Sequence, residues 1–251
     1  MFGVRRSTFP FLPSFAFVLV MLSAIIVAGG GSRRMGFDKT LALLANRPVI
    51  AHTIAAFEAT ECVVEIVVVG RADRLDELRE LIAQHHFGKV REIIVGGAHR
   101  QDSVSAGLNR VNASAEFIAV HDAARPLVRP AQILEVLEAA RSQGAAALAA
   151  PISDTLKRAD ENGIARESID RAGVYAMQTP QIFARGLLLE AYQRVAADNV
   201  LITDEVSALQ HLGREVLLVP NYEVNLKITF PPDLALAEFI LARRQEKPSS
   251  R

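Results

Sequence analysis

Residues 28–39 read Ala28-Gly29-Gly30-Gly31-Ser32-Arg33-Arg34-Met35-Gly36-Phe37-Asp38-Lys39, three consecutive glycines followed by Arg34 and Lys39. Glycines let a backbone turn tightly and come close to a ligand, and the free N–H groups of such a turn can cradle phosphate oxygens. The spacing is neither G-x-x-x-x-G-K-[ST] nor G-x-G-x-x-G. Taken alone, the stretch fits a plain strand-to-helix turn with solvated arginines equally well. Gly96-Gly97 end an apolar run and Ser103 opens a helical pattern. Backbone groups and a hydroxyl there could read the edge of a base, and Asp102 or Ser103 could also serve as a helix cap. His121-Asp122 close another apolar run, with Arg125 three residues on. A carboxylate at the carboxyl end of a buried strand is placed to hold Mg²⁺ or a substrate hydroxyl. A surface Asp–Arg pair of little energetic weight is the plainer alternative. His121 reads as structural. Lys227 follows a short strand pattern toward the same sheet edge, where a solvated lysine is again the plain reading.

The elements that must position these residues alternate along the chain. Continuous apolar, β-branched runs occur at 23–28, 65–69, 92–95, 117–120 and 145–150. Helical patterns at 49–59, 74–84, 102–111 and 131–141 separate them. Continuous runs predict strands covered on both faces, and strand–helix alternation predicts right-handed βαβ units. The expected fold is therefore α/β, a mostly parallel twisted sheet with helices on both faces. Residues 152–174 break the rhythm with a polar, charged stretch around Asn162-Gly163, which reads as a hairpin leaving the sheet. Helices at 184–195 and 204–212, strands at 216–219 and 225–229, and a helix from Pro231-Pro232 to Arg243 complete one domain over 22–244. Residues 245–251 read as a frayed tail.

Composition narrows the function. The chain has 251 residues, half of them apolar, with 28 Lys+Arg against 28 Asp+Glu. A balanced charge is a poor match for nonspecific nucleic-acid binding, yet it leaves room for a local basic pocket. The single cysteine, Cys62, excludes internal disulfides and cysteine-type zinc clusters. Residues 1–21 carry Arg5 and Arg6 before an apolar stretch broken by Pro10 and Pro13. A membrane anchor ending near Val20 is one reading; the expectation is an extension upstream of the fold, from a start codon assigned too early. No membrane association is expected.

The glycine turn resembles the A-x-G-x-G-x-R-M-x…K signature of nucleotidyltransferases that make sugar- or polyol-diphosphonucleotides. Residues 96–104 (GGAHRQDSV), 121–126 (HDAARP), 154–158 (DTLKR), 178–181 (QTPQ), 203–205 (TDE) and 225–229 (NLKIT) resemble one branch, the 2-C-methyl-D-erythritol 4-phosphate cytidylyltransferases. The resemblance runs from about Leu22 to Arg243. It implies a Rossmann-like nucleotidyltransferase fold with a protruding β-arm at about 152–175, and transfer of a cytidylyl group from CTP. It further implies Arg34, Lys39 and Lys227 as catalytic cations, and Ala28, Gly29, Gly30, Gly31, Gly97, Ser103 and Asp122 as the CTP site. Arg125, Thr155, Arg171, Thr179 and Thr203 would meet the polyol phosphate. Mg²⁺ is the implied cofactor, held mainly through phosphates, with Asp122 as its one candidate protein ligand. The arm is expected to cross to a second subunit, so that Thr155 and Arg171 complete the partner's site in a homodimer. Ala98 stands where many members carry Asp, which leaves base discrimination to Gly97, Ser103 and backbone groups. Ribitol-5-phosphate cytidylyltransferases share most of these motifs. A silent nucleotide-binding protein is disfavoured by the retention of Arg34, Lys39, Asp122 and Lys227. The expected protein is cytoplasmic and monofunctional.

Overall fold

The computed structural model describes residues 20–30 and 36–246. Gly31 and Arg34 of the glycine turn, most of the 1–21 extension, and residues 247–251 lie outside the described residues. In chain order the elements are β1 (Leu22–Val27), β2 (Leu43–Leu44), β3 (Arg47–Pro48), α1 (Val49–Glu58), β4 (Val63–Gly70), α2 (Leu75–Gln84), β5 (Val90–Val95) and α3 (Arg100–Leu108). They continue with β6 (Phe117–Asp122), α4 (Pro130–Gln143), β7 (Ala145–Pro151), β8 (Leu156–Ala159), β9 (Ala165–Ile169), β10 (Tyr175–Ala184), α5 (Arg185–Ala197), α6 (Glu205–His211), β11 (Leu217–Pro220) and α7 (Pro232–Glu246).

Seven strands form one sheet in the order β11-β7-β10-β6-β1-β4-β5. All neighbouring pairs are parallel except those of β10, which runs antiparallel to both β6 and β7. The side chains of β1 explain its continuous apolar run. Leu22, Ala24 and Ile26 enter the core beneath α1, α2 and α4, while Ile25 enters the core beneath α3, α5 and α6. With helices on both faces Leu22 to Ile26 are all buried and Val27 partly so, which leaves no polar alternation to read. Val20, two residues before the expected boundary, also packs in the first of these cores.

Two expectations need correction. β10 has no counterpart in the sequence reading. Its run is interrupted by Gln178, Thr179, Pro180 and Gln181, and its register with β7 shifts between Met177 and Gln181. A proline inside a run argues against a strand, and here the strand absorbs it at the irregularity. Conversely, residues 225–229 join no ladder. The segment is held individually: Ile228 N donates to Ala124 O at 2.8 Å and Asn225 Nδ2 to Thr179 O at 2.8 Å. The polar excursion is a hairpin as expected. β8 and β9 pair with each other and with no strand of the main sheet.

Candidate active site

From β1 the chain builds outward through β4 to β5, then returns to lay β6 on the other side of β1. That reversal makes a topological switch point, and ligands of open α/β sheets bind in the crevice at the carboxyl ends of the strands flanking it. The glycine turn leaves β1 there, Gly96-Gly97 leave β5, and Asp122 ends β6. The ladders hold to the rim: Ala28 N donates to Val69 O at 2.7 Å and Ala123 N to Val27 O at 3.0 Å.

Two clefts open along this rim. The first is lined by Ala28, Gly29 and Gly30 on one side, Gly97 and Ser103 on another, and by Lys39, Asp122 and Lys227. The second is lined by Arg125, Thr179, Thr203, Asp122 and Lys227. Arg100, Asp122 and Lys227 border both. The chain thus brings Lys39 and Lys227, 188 positions apart, into one cavity.

Local packing sets the first cleft. Ser103 Oγ, almost fully buried, accepts from Gly97 N at 3.2 Å, and Asp102 accepts from His99 N at 2.9 Å at the start of α3. A Cβ on Gly97 would lie 2.2 Å from Asp102 Cβ, so only glycine permits this close approach of turn and helix. Ala98 lines the cleft with no polar atom of its own side chain to offer.

Asp122 is the junction. Its Oδ2 lies 2.8 Å from Lys227 Nζ and 3.6 Å from Arg125 Nε, and its Oδ1 accepts from Arg100 Nε at 3.2 Å. Thr179 Oγ1 accepts from Asp122 N at 3.1 Å, fixing the backbone below. Burial alone would raise the carboxyl, but Arg100, Lys227 and Arg125 together hold it well below the usual carboxylate range. Burial pushes His121 down to about 3, so it is neutral. Its Nε2 lies 3.3 Å from Arg125 O and its ring 5.0 Å from that of Phe57, a structural residue as expected.

Arg125 reaches the second cleft with much of its guanidinium already engaged. Nη1 donates to Asn225 O at 2.8 Å and Nη2 to Met177 O at 3.3 Å, so it also ties the Lys227 segment to β10. Thr203 lies at the same cleft, its Oγ1 3.4 Å from Ser207 Oγ. Thr155 and Arg171 are exposed on the hairpin segment and line neither cleft; Arg171 donates to Ser153 O.

The sequence reading passed over Arg100. It pairs with Glu205 through two nitrogens, Nη1 to Oε1 at 2.7 Å and Nη2 to Oε2 at 3.0 Å. Both residues lie in quoted motifs, but their pairing across 105 positions left no local signal.

The donor set also bears on Mg²⁺. Asp122 offers one carboxylate with both oxygens already on cations, and among the described residues no group of three His, Cys, Asp or Glu could hold a metal. A cage of protein ligands alone is therefore not built among the described residues, and a Mg²⁺ ion there would rely on substrate phosphates with at most Asp122 beside them.

The geometry defines a Rossmann-like α/β protein with a cation-rich double cleft at its switch point. A model of the family described as 2-C-methyl-D-erythritol 4-phosphate cytidylyltransferase matches residues 22–243. The 2-C-methyl-D-erythritol 4-phosphate cytidylyltransferase of Dehalococcoides mccartyi strain CBDB1 is 39% identical over 223 residues, covering 88% of this chain and 96% of its own. Among solved structures, the 4-diphosphocytidyl-2C-methyl-D-erythritol synthase of Anaerococcus prevotii aligns with a TM-score of 0.79 at 26% identity, covering 90% of this chain and 97% of its own. The 2-C-methyl-D-erythritol 4-phosphate cytidylyltransferase of Thermus thermophilus aligns with a TM-score of 0.73 at 31% identity, covering 89% and 99%. The chain belongs to the 2-C-methyl-D-erythritol 4-phosphate cytidylyltransferase family.

Proposed function

We infer that this chain transfers the cytidylyl group of CTP to 2-C-methyl-D-erythritol 4-phosphate, giving 4-diphosphocytidyl-2-C-methyl-D-erythritol and pyrophosphate. A phosphate oxyanion of the polyol attacks the α-phosphorus; the bond from that phosphorus to the bridging oxygen breaks, and pyrophosphate leaves. Both reactants are anions, so the protein's task is to overcome their repulsion and align them. The observation that supports this reading is the shared wall of the two clefts, where Lys227 and Arg100 face both. CTP takes the first cleft, its base against Gly97 and Ser103 and its triphosphate along Ala28, Gly29 and Gly30. Lys39 meets the triphosphate there, with Arg34 and Gly31 of the same turn assigned to it by resemblance. The polyol phosphate takes the second cleft beside Arg125, Thr179 and Thr203. Lys227 stands where negative charge grows in the transition state.

Were Mg²⁺ to accompany the triphosphate, it would supply charge neutralisation beside Lys39 and Lys227. A homodimer completes the second cleft. An isolated two-stranded ribbon is marginal in water, and β8–β9 has no partner strand in its own subunit. Thr155 and Arg171 then reach the partner's cleft. The reading places the enzyme in the cytoplasm with its nucleotide substrate; no helix among the described residues is long and apolar enough to cross a membrane.

The deciding experiment offers CTP with 2-C-methyl-D-erythritol 4-phosphate or ribitol 5-phosphate and identifies the product by mass. Turnover confined to ribitol 5-phosphate would overturn the substrate. The crossing arm is tested by mixing Lys227→Ala with Arg171→Ala subunits. Assayed with the polyol phosphate well below its KM, where Arg171→Ala subunits alone keep about a tenth of the parent rate, random reassortment into dimers raises activity to about one quarter of the parent if Arg171 acts across the interface, and adds nothing to that residual rate if it acts within its own subunit.

A further inference from the structure

Glu205 opens α6 with no solvent exposure at all. Both of its oxygens are held by the fork of Arg100, and Tyr192 Oη donates to Oε1 at 2.9 Å. The phenol is pushed up by burial and by the Glu205 charge, so it stays a donor. Arg100 turns a third donor the other way, Nε to Asp122 Oδ1 at 3.2 Å, and Asp122 Oδ2 holds Lys227 Nζ at 2.8 Å. An unbroken polar chain therefore runs from the core beneath α5 and α6 to the wall between the clefts.

A buried ion pair is weak as a source of stability, since desolvation offsets the attraction. A two-point fork does fix the plane of the guanidinium, which a single contact does not. The position matters because Arg100 borders both clefts. An arginine free to rotate beside a triphosphate would turn onto it. It would then release Asp122, and Asp122 would no longer fix the Lys227 ammonium.

We propose that Glu205, acting through Arg100, is a positioning residue for cytidylyl transfer: it turns the guanidinium toward Asp122 and so fixes Lys227 where donor and acceptor meet. The proposal rests on the assignment of the clefts to CTP and a polyol phosphate. It is tested with the purified full chain carrying Glu205→Gln, which keeps the side-chain volume but loses the charge and one acceptor. With both substrates saturating, kcat falls at least about tenfold, the scale of a small misplacement at a reacting centre. The Kd of CTP, measured by calorimetry without the second substrate, rises less than about threefold, because the first cleft keeps its other walls and a released Arg100 turns toward the triphosphate. A folded Glu205→Gln enzyme with kcat within about twofold of the parent overturns the proposal, and so does parallel loss of CTP binding and turnover, the mark of a purely structural role. If Glu205→Gln does not fold, Arg100→Lys keeps a charge near Asp122 without the fork and is read on the same two axes. A parent enzyme that makes no cytidylyl product from either polyol phosphate sinks the functional reading itself, a result distinct from an active parent with an equally active variant.

Discussion

The junction around Asp122 and the hairpin β8–β9 are both rich in charge, and they are built in opposite ways. At the junction, one carboxylate meets Arg100, Arg125 and Lys227; Glu205 braces Arg100, and the carbonyls of Asn225 and Met177 brace Arg125. In the hairpin, charges pair across an exposed ribbon, Arg158 with Glu167 at 3.1 Å and Arg166 with Asp160 at 2.6 Å. Exposed pairs of this kind contribute little, because water screens them. The first region is organised by its own subunit before any ligand arrives. The second holds its shape locally, and the proposed partner contact falls there.

The sharpest way to break this contrast is Lys227→Ala. Removing the ammonium that faces both clefts lowers kcat by about 10²- to 10³-fold, measured as pyrophosphate release, because its charge acts chiefly in the transition state. A loss under about tenfold would remove the junction from the reaction. Gly97→Ala comes next. Its new Cβ meets Asp102 at 2.2 Å, so the turn must shift, at a cost of about 1–3 kcal/mol in denaturant unfolding together with weaker CTP binding. Gly163→Ala, at φ +77° in the hairpin turn with open space around it, leaves CTP affinity unchanged. Equal effects on CTP binding would erase the contrast. Arg171→Ala is milder: the KM of the polyol phosphate rises about tenfold, the worth of a charge-assisted hydrogen bond, while that of CTP moves far less. The reverse order in steady-state kinetics would misplace the hairpin.

Much of the junction was legible because its parts sit at strand ends. The apolar runs marked β1, β5 and β6, and Gly29, Gly97 and Asp122 follow directly from where those runs stop. The cations were legible one by one and their convergence came from resemblance, since periodicity says nothing of contacts between residues so far apart in the chain. β10 was hidden because Thr179 and Pro180 interrupt it, and yet Thr179 is the residue that fixes the Asp122 backbone. The segment 225–229 looked like a strand because Leu226 and Ile228 alternate with polar residues. In fact Ile228 packs beneath α7 while Asn225 and Arg125 tether the backbone. Arg100 was missed for a related reason: a charged residue at a helix start reads as solvated until its buried partner is known.

The smallest effect concerns pH and again separates the two regions. Native His121 stays neutral down to about 3, whereas in the unfolded chain it takes a proton below its ordinary 6.5. Between those values the unfolded state binds the extra proton, so stability is lost as pH falls, by at most about 1.4 kcal/mol per pH unit. Asp122 acts in the same direction in a lower window. Its native carboxyl lies below the ordinary 3.8, so its contribution is present above that value and lost as pH drops past it. His52 and His85 are also lowered by burial and add to the upper window. In the hairpin, Asp160 is lowered by the Ile164 N–H and by Arg166, and it contributes only in the lower window. Thermal melts from pH 7.5 to 4.5 should therefore show a falling melting temperature that starts near pH 6.5. His121→Gln, whose Nε2 can take the place of the imidazole Nε2 that faces Arg125 O, should flatten that slope without abolishing it. A slope unchanged in this variant would mean that the acid sensitivity arises away from the junction.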